Sequence, residues 1–231
     1  MGNSLDQAGV AHEVKGGKDL LLKKPKAIAF DLDGTIVDSV DYMASTWLQL
    51  ARSMGIEPEV NIRELVGMTG IQIARALANG DEILVAKIFA ERRKHFDVDR
   101  YIRSVRLFPE STRVLVELRR RGYRMALASS ATTERVRRIA SAFGLDSYFD
   151  VTVGGDEVAG SKPAPDLIVE VAARCGIETS ELVYVGDTSY DVEAAVAAKA
   201  TAILILRKDA NYVGPQPDLT ISSLIGLLDR L

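Results

Sequence analysis

What this chain of 231 residues lacks narrows its function before any motif is read. It holds a single cysteine, Cys175. That excludes an internal disulfide and a cysteine metal cluster, and it fits a reducing compartment. Cys175 stands in an apolar helical pattern before Gly176, so it reads as a small core residue. The two histidines, His12 and His95, are isolated from each other and from any Asp/Glu spacing, so neither is expected to ligate a metal. No run of about 18 apolar residues occurs, and no membrane span is expected. The first residues, Met1 to Asp6, carry neither the basic and apolar stretches of a signal peptide nor the hydroxyl that myristoylation wants where Asp6 stands. Neither G-x-G-x-x-G nor G-x-x-x-x-G-K-[ST] is present, which removes the phosphate loops of a nucleotide-binding module. A net charge of −3 lacks the positive excess of a nucleic-acid binder. With 47% hydrophobic and 26% charged residues, the composition allows a full globular core. A cytoplasmic protein, monomer or homodimer, is the expectation.

The chain is expected to be organised around Phe30-Asp31-Leu32-Asp33-Gly34-Thr35-Ile36-Val37-Asp38-Ser39. An apolar run from about Lys26 to Leu32 reads as a buried strand. Side chains alternate along a strand, so Asp31 and Asp33 leave one face while Leu32 leaves the other. Gly34 lets the backbone turn and leaves its amide open to a ligand. Two carboxylates about 4 Å apart repel by roughly 4 kcal/mol at an effective dielectric of ~20, so a cation is expected nearby.

Residues 1–23 are polar with no sustained period and read as a flexible extension, with a short apolar turn at Leu20-Leu21-Leu22. From Asp38 to Arg106 the pattern is helical. Val40, Met43, Ala44, Trp47, Leu48, Ala51 and Met54 fall on one face of a helix stopped by Gly55. Helices follow around Ile62–Val66 and Ile71–Ala78, with a long one from Glu82 to Phe96 or beyond. Its basic run Arg92-Arg93-Lys94-His95 reads as a solvated face. After Phe108-Pro109 strands and helices alternate. Strands are expected at Tyr123–Ala128, Asp150–Val153, Leu182–Val185, Thr201–Leu206 and Leu219–Ile221. Helices are expected at Ser111–Arg121, Thr133–Phe143, Pro165–Cys175 and Tyr190–Lys199, with a terminal helix from Ser222. This alternation predicts an α/β, Rossmann-like parallel sheet with helices on both faces. The domains are then the extension 1–23, a core from 24–37 and 107–231, and an inserted helical cap at 38–106.

In open α/β sheets ligands bind beyond the carboxyl ends of the strands. This chain places there Asp31 and Asp33, then Ser129-Ser130, the loop carrying Lys162-Pro163, and Gly186-Asp187 with Asp191 close behind. Each has a plainer reading. Ser129-Ser130 fits a helix cap, Lys162 a solvated loop, and Asp187 with Asp191 a charge pair at a helix start. Their coincidence at successive strand ends favours a site. Hard oxygen ligands without His or Cys suit Mg²⁺, and hydroxyls, amides and a lysine suit the oxygens of a phosphoryl group.

Asp31-Leu32-Asp33-Gly34-Thr35, Ser129, Lys162-Pro163 and Gly186-Asp187-Thr188-Ser189-Tyr190-Asp191 together resemble the four motifs of the haloacid dehalogenase superfamily, in its phosphatase branch with a small helical cap. The resemblance covers about residues 26–231. It implies Asp31 as nucleophile, forming an aspartyl-phosphate, and Asp33 as general acid and then base. It also implies Gly34, Thr35, Ser129, Ser130 and Lys162 around the phosphoryl group. Mg²⁺ would sit on the Asp31 carboxylate, the Asp33 carbonyl and Asp187, with Asp191 orienting Lys162 or a metal-bound water. Dehalogenases and phosphonoacetaldehyde hydrolases of this superfamily lack the second aspartate, so Asp33 argues against both. Mutases of the β-phosphoglucomutase type usually carry Glu-Asp where Gly186-Asp187 stands, a pair closer to phosphoglycolate phosphatases and pyrophosphatases. A hydrolase is therefore expected over a phosphotransferase, and over a silent regulatory domain, which would usually have lost Asp31 or Asp187. Substrate choice is expected in the cap, at Gly67-Met68-Thr69-Gly70, with Thr69 as the candidate contact.

Overall fold

The computed structural model describes residues 24–207 and 212–231. The expected extension at 1–23, with its apolar turn, and His12 lie outside them. The chain enters on strand β1 (Ala27–Phe30), and a two-residue strand β2 (Val37–Asp38) follows. Five helices come next: α1 (Val40–Ser53), α2 (Ile62–Leu65), α3 (Gly70–Leu77), α4 (Glu82–His95) and α5 (Val98–Ser104). A second short strand, β3 (Arg106–Leu107), pairs antiparallel with β2. The rest alternates: α6 (Ser111–Arg120), β4 (Arg124–Ser129), α7 (Thr133–Ala142), β5 (Val151–Gly154), α8 (Asp166–Cys175), β6 (Leu182–Gly186), α9 (Ser189–Ala197), β7 (Thr201–Ile205) and β8 (Leu219–Ile221).

The main sheet runs in the order β5-β4-β1-β6-β7-β8 with every pairing parallel. Both faces are covered, so the strands are apolar on both sides. Ile28, Phe30, Leu127, Val185 and Ile203 meet Leu115 and Ile139 of α6 and α7 on one face. Ala27, Ala29, Ala126 and Ala128 face Leu167 and Val171 of α8 on the other, where Ala195 of α9 also packs. From β1 the chain builds outward to β4 and β5, then crosses back to place β6 on the other side of β1. Beyond β1 the order reverses, and there an open α/β sheet forms its crevice. The α1–α4 segment has a separate core of Trp47, Ile73, Val85 and Ile88. Met43 of α1 and Tyr101 of α5 instead belong to the core of the sheet.

Four expectations change. No terminal helix forms after Ser222; Leu224–Leu227 makes one 3-10 turn. The stretch is short, contains Gly226, and cannot repay helix nucleation. The long basic helix ends at His95, because Asp97 caps a separate helix by accepting the amide of Arg100 at 3.0 Å. The β2–β3 ribbon is too short to leave a pattern in the sequence. Arg92, read as part of a solvated face, is only 8% exposed and lies against the rings of Trp47 and Phe96; its stem and guanidinium favour that apolar wall over water.

Candidate active site

The carboxyl end of β1 carries the first two site residues. Asp31 is buried, and its amide donates to Val185 O at 2.9 Å, tying it to β6. The chain then turns through Gly34, whose φ of +82° suits glycine. A Cβ there would also lie 2.1 Å from Asp187 Oδ2, so this glycine lets the β6 carboxylate approach. Gly186 serves similarly, because a Cβ on it would lie 2.2 Å from Asp191 Cγ. The first motif thus interlocks with the last at Gly34, and Gly186 makes room within the last.

Lys162 reaches this corner from the loop after β5 and is fully buried. Its Nζ donates to Asp31 Oδ1 at 2.8 Å and to Asp191 Oδ1 at 2.6 Å. Burial opposes the ammonium, but Asp191 first and Asp31 next hold its pKa well above that of an ordinary lysine. Asp191 is saturated. Its Oδ2 accepts Thr188 N at 3.0 Å and Thr188 Oγ1 at 2.6 Å, closing a capping box on α9, and Tyr184 Oη reaches Oδ1 at 3.3 Å. This residue positions Lys162.

Asp31 and Asp187 are less well served. Burial raises the pKa of Asp31 to about 7, offset in part by Lys162 and reinforced by Asp191 and Asp33. Burial likewise holds Asp187 well above the carboxylate range, with Asp191 and Asp31 adding to it, although Thr35 Oγ1 donates to its Oδ1 at 3.2 Å. Asp31, Asp187 and Asp191 each bring a carboxylate oxygen within 4.8 Å of the others. Three carboxylates against one ammonium leave two negative charges uncompensated, which is costly in a buried site. Because Asp191 is already engaged, a cation would be held by Asp31 and Asp187.

Asp33 is held differently. Its Oδ1 accepts Ser39 Oγ at 2.6 Å and Tyr101 Oη at 2.5 Å, and its Oδ2 faces Arg135 at 3.8 Å. Tyr101 comes from α5, so the inserted segment reaches into the site. Burial and the neighbouring Asp33 keep that phenol un-ionised, its pKa well above the usual value. Ser129 ends β4, buried, with its Oγ accepting Ala131 N at 3.2 Å. Neither Ser129 nor Ser130 caps α7; Thr132 does. Ser130 Oγ instead donates to Gly67 O at 2.8 Å, and Gln72 Nε2 donates to Lys162 O at 3.3 Å, two ties between insert and sheet. Thr69 reaches the cavity wall, but its hydroxyl and amide are both engaged by Gln72 in the capping box of α3.

A cavity of about 660 Å³ lies between the insert and the strand ends, walled by Asp31, Asp33 and Ser129 on one side and Trp47, Thr69 and Phe89 on the other. The structure therefore brings Asp31, Asp33, Gly34, Thr35, Lys162, Asp187 and Asp191 to one corner, with Ser129 and Ser130 at the neighbouring strand end on the same wall of the cavity. Sequence reasoning missed Ser39, Tyr101 and Arg135. Ser39 stood in the organising stretch, whereas Tyr101 and Arg135 belong to amphipathic helices with nothing local to mark them.

The haloacid dehalogenase-like hydrolase family matches residues 28–205. A phosphoglycolate phosphatase of Photorhabdus laumondii is 32% identical over 187 residues, covering 77% of this chain and 79% of that protein. Among solved structures, a predicted phosphoglycolate phosphatase from Haemophilus somnus 129pt superposes with a TM-score of 0.73 at 21% identity, covering 90% of this chain and 98% of that one. A β-phosphoglucomutase from Clostridium difficile superposes with a TM-score of 0.73 at 20% identity, covering 88% and 93%. The last two likenesses concern the fold, which the α/β sheet shares. The chain belongs to the haloacid dehalogenase-like hydrolase family and is an enzyme of its phosphatase branch.

Proposed function

We propose that the protein is a Mg²⁺-dependent phosphatase, similar to phosphoglycolate phosphatases, that hydrolyses a small phosphomonoester through an aspartyl-phosphate on Asp31. The observation that carries this reading is the buried Lys162 bridging Asp31 and Asp191 beside the under-compensated Asp187. Asp31 and Asp187 offer the hard oxygens that Mg²⁺ prefers, with the Asp33 carbonyl as a further ligand. When bound, the cation would neutralise charge on the phosphoryl oxygens and keep Asp31 ionised.

Lys162 holds Asp31 Oδ1, which leaves Oδ2 as the attacking atom. Oδ2 forms a bond to phosphorus as the bond to the ester oxygen breaks, and Asp33 passes a proton to that oxygen. Water then attacks the phosphoryl group, Asp33 takes the proton, and Asp31 is regenerated. Ser129, Ser130 and the amides beside them line the cavity where the phosphoryl oxygens would lie. Ser39 and Tyr101 fix Asp33 Oδ1, so Oδ2 is the oxygen presented to the cavity. The segment 38–106 acts as the cap, shutting water from the reacting centre. A mutase reading is less well supported, because a glutamate at position 186 has no room against Asp191.

Asp31→Asn should reduce Mg²⁺-dependent phosphate release from p-nitrophenyl phosphate and small phosphomonoesters to background; undiminished turnover overturns the proposal. Tyr101→Phe should lower kcat roughly tenfold through loss of one charged hydrogen bond while KM stays nearly unchanged; an unaltered kcat denies the phenol its positioning role. The sign of the pH effect follows from Asp31. Its pKa in the folded protein lies above the ordinary carboxylate value, so the metal-free protein loses stability as pH rises from about 4 to about 7. Mg²⁺ should therefore raise Tm more at about pH 8 than at about pH 5, and an equal gain at both contradicts the assigned ligands.

A further inference from the structure

The cavity wall carries a concentration of positive charge apart from Lys162, in Arg92 and Arg135. Arg92 of α4 is buried and packs over the rings of Trp47 and Phe96, each 4.5 Å from its Cζ. Arg135 of α7 covers the same Phe96 ring at 4.0 Å and approaches Tyr101 at 5.4 Å. Each guanidinium directs a hydrogen bond to one acceptor, the thioether of Met43, at 3.9 Å from Arg92 and 3.4 Å from Arg135. A thioether sulfur is a weak acceptor for groups that carry five N–H donors apiece. Arg135 Nε is buried without a hydrogen-bond partner among the described residues. Among the described residues the one ion pair of either group is Arg135 with Asp33 at 3.8 Å, and the other oxygen of Asp33 is taken by Ser39 and Tyr101. Arg92 forms no ion pair among the described residues. Burial and the charge of Arg135 bring its pKa down to about 9.

Aromatic rings hold a guanidinium in place without using its N–H edge. Two such groups, stacked on one ring, buried and short of oxygen acceptors, make a receptor for a planar anion. We propose that Arg92 and Arg135 bind a carboxylate on the substrate, so that the enzyme reads a phosphomonoester by the acid group it carries. This rests on the phosphatase reading above. The ester oxygen must lie near Asp33, and Arg135 is 3.8 Å from that residue. The carboxylate therefore sits within a few bonds of the ester, as in a short phosphorylated hydroxy acid. A neutral ester would leave both guanidinium groups buried without an oxygen partner, and sites built this way reject the ligand that lacks the matching group.

The test compares kcat/KM for 2-phosphoglycolate with that for ethyl phosphate, which has a methyl group where the acid stands. Wild-type enzyme should prefer the acid. Arg92→Met should reduce that preference about 10- to 100-fold, mostly through KM for the acid. Arg92→Lys keeps the charge but loses the planar fork, so it should fall between the two and covers the case in which Arg92→Met fails to fold. An unchanged ratio in the folded variants, with Asp31→Asn inactive, overturns the carboxylate subsite and leaves the phosphatase standing. Failure of the wild type to hydrolyse either ester overturns both.

Discussion

The ammonium of Lys162, buried completely between Asp31 and Asp191, is the constraint from which the rest of the site follows. A lysine in that position is stable only with carboxylates in direct contact, and removing one partner of such a buried pair is expected to cost about 3–5 kcal/mol. Once the pairs are made, each carboxylate has a limited set of roles. Asp191 is consumed by Lys162, Thr188 and Tyr184, so it orients. Asp31 has an oxygen outside the Lys162 pair, and burial with Asp191 and Asp31 nearby makes the charge of Asp187 costly. With all three carboxylates ionised, the cluster would lack two positive charges, which the proposed Mg²⁺ would supply.

The sheet topology makes this crowding possible. Placing β6 beside β1 after the excursion to β4 and β5 brings chain segments more than 150 residues apart into one corner. Gly34 and Gly186 give the space, each admitting a carboxylate where a Cβ would collide. The helical insert is fastened to that corner rather than only hinged over it. Tyr101 touches Asp33, Gly67 accepts from Ser130, and Gln72 donates to the backbone of Lys162. An insert so connected holds Asp33 from the helical side through Tyr101.

Much of this was legible in the sequence, for local reasons. The β1 motif, Gly186-Asp187 and the alternation of strands and helices are short-range patterns, so strand ends and their polar residues could be placed with errors of one or two residues. The carboxylate cluster around Lys162 followed from knowing that strand ends converge. What could not be read depends on packing between distant segments. Tyr101 and Arg135 look like ordinary helical residues, and only the tertiary fold turns them toward Asp33. Arg92 was misread because a basic run normally faces water, whereas Trp47 and Phe96 offer its guanidinium two aromatic faces. The helix expected after Ser222 failed for a converse reason: its apolar residues are buried by contact with α6, and regular helix is not required.

In the proposed mechanism Asp31 is the nucleophile toward phosphorus, positioned by Lys162 and assisted by a cation. The most direct measurement is rapid acid quench of the enzyme turning over a phosphomonoester with Mg²⁺, followed by mass analysis of its peptides. The account predicts one added phosphoryl group on the peptide containing Asp31, labile to hydroxylamine and absent from Asp31→Asn. A phosphoryl group on another residue, or unmodified Asp31 throughout the turnover, would contradict it.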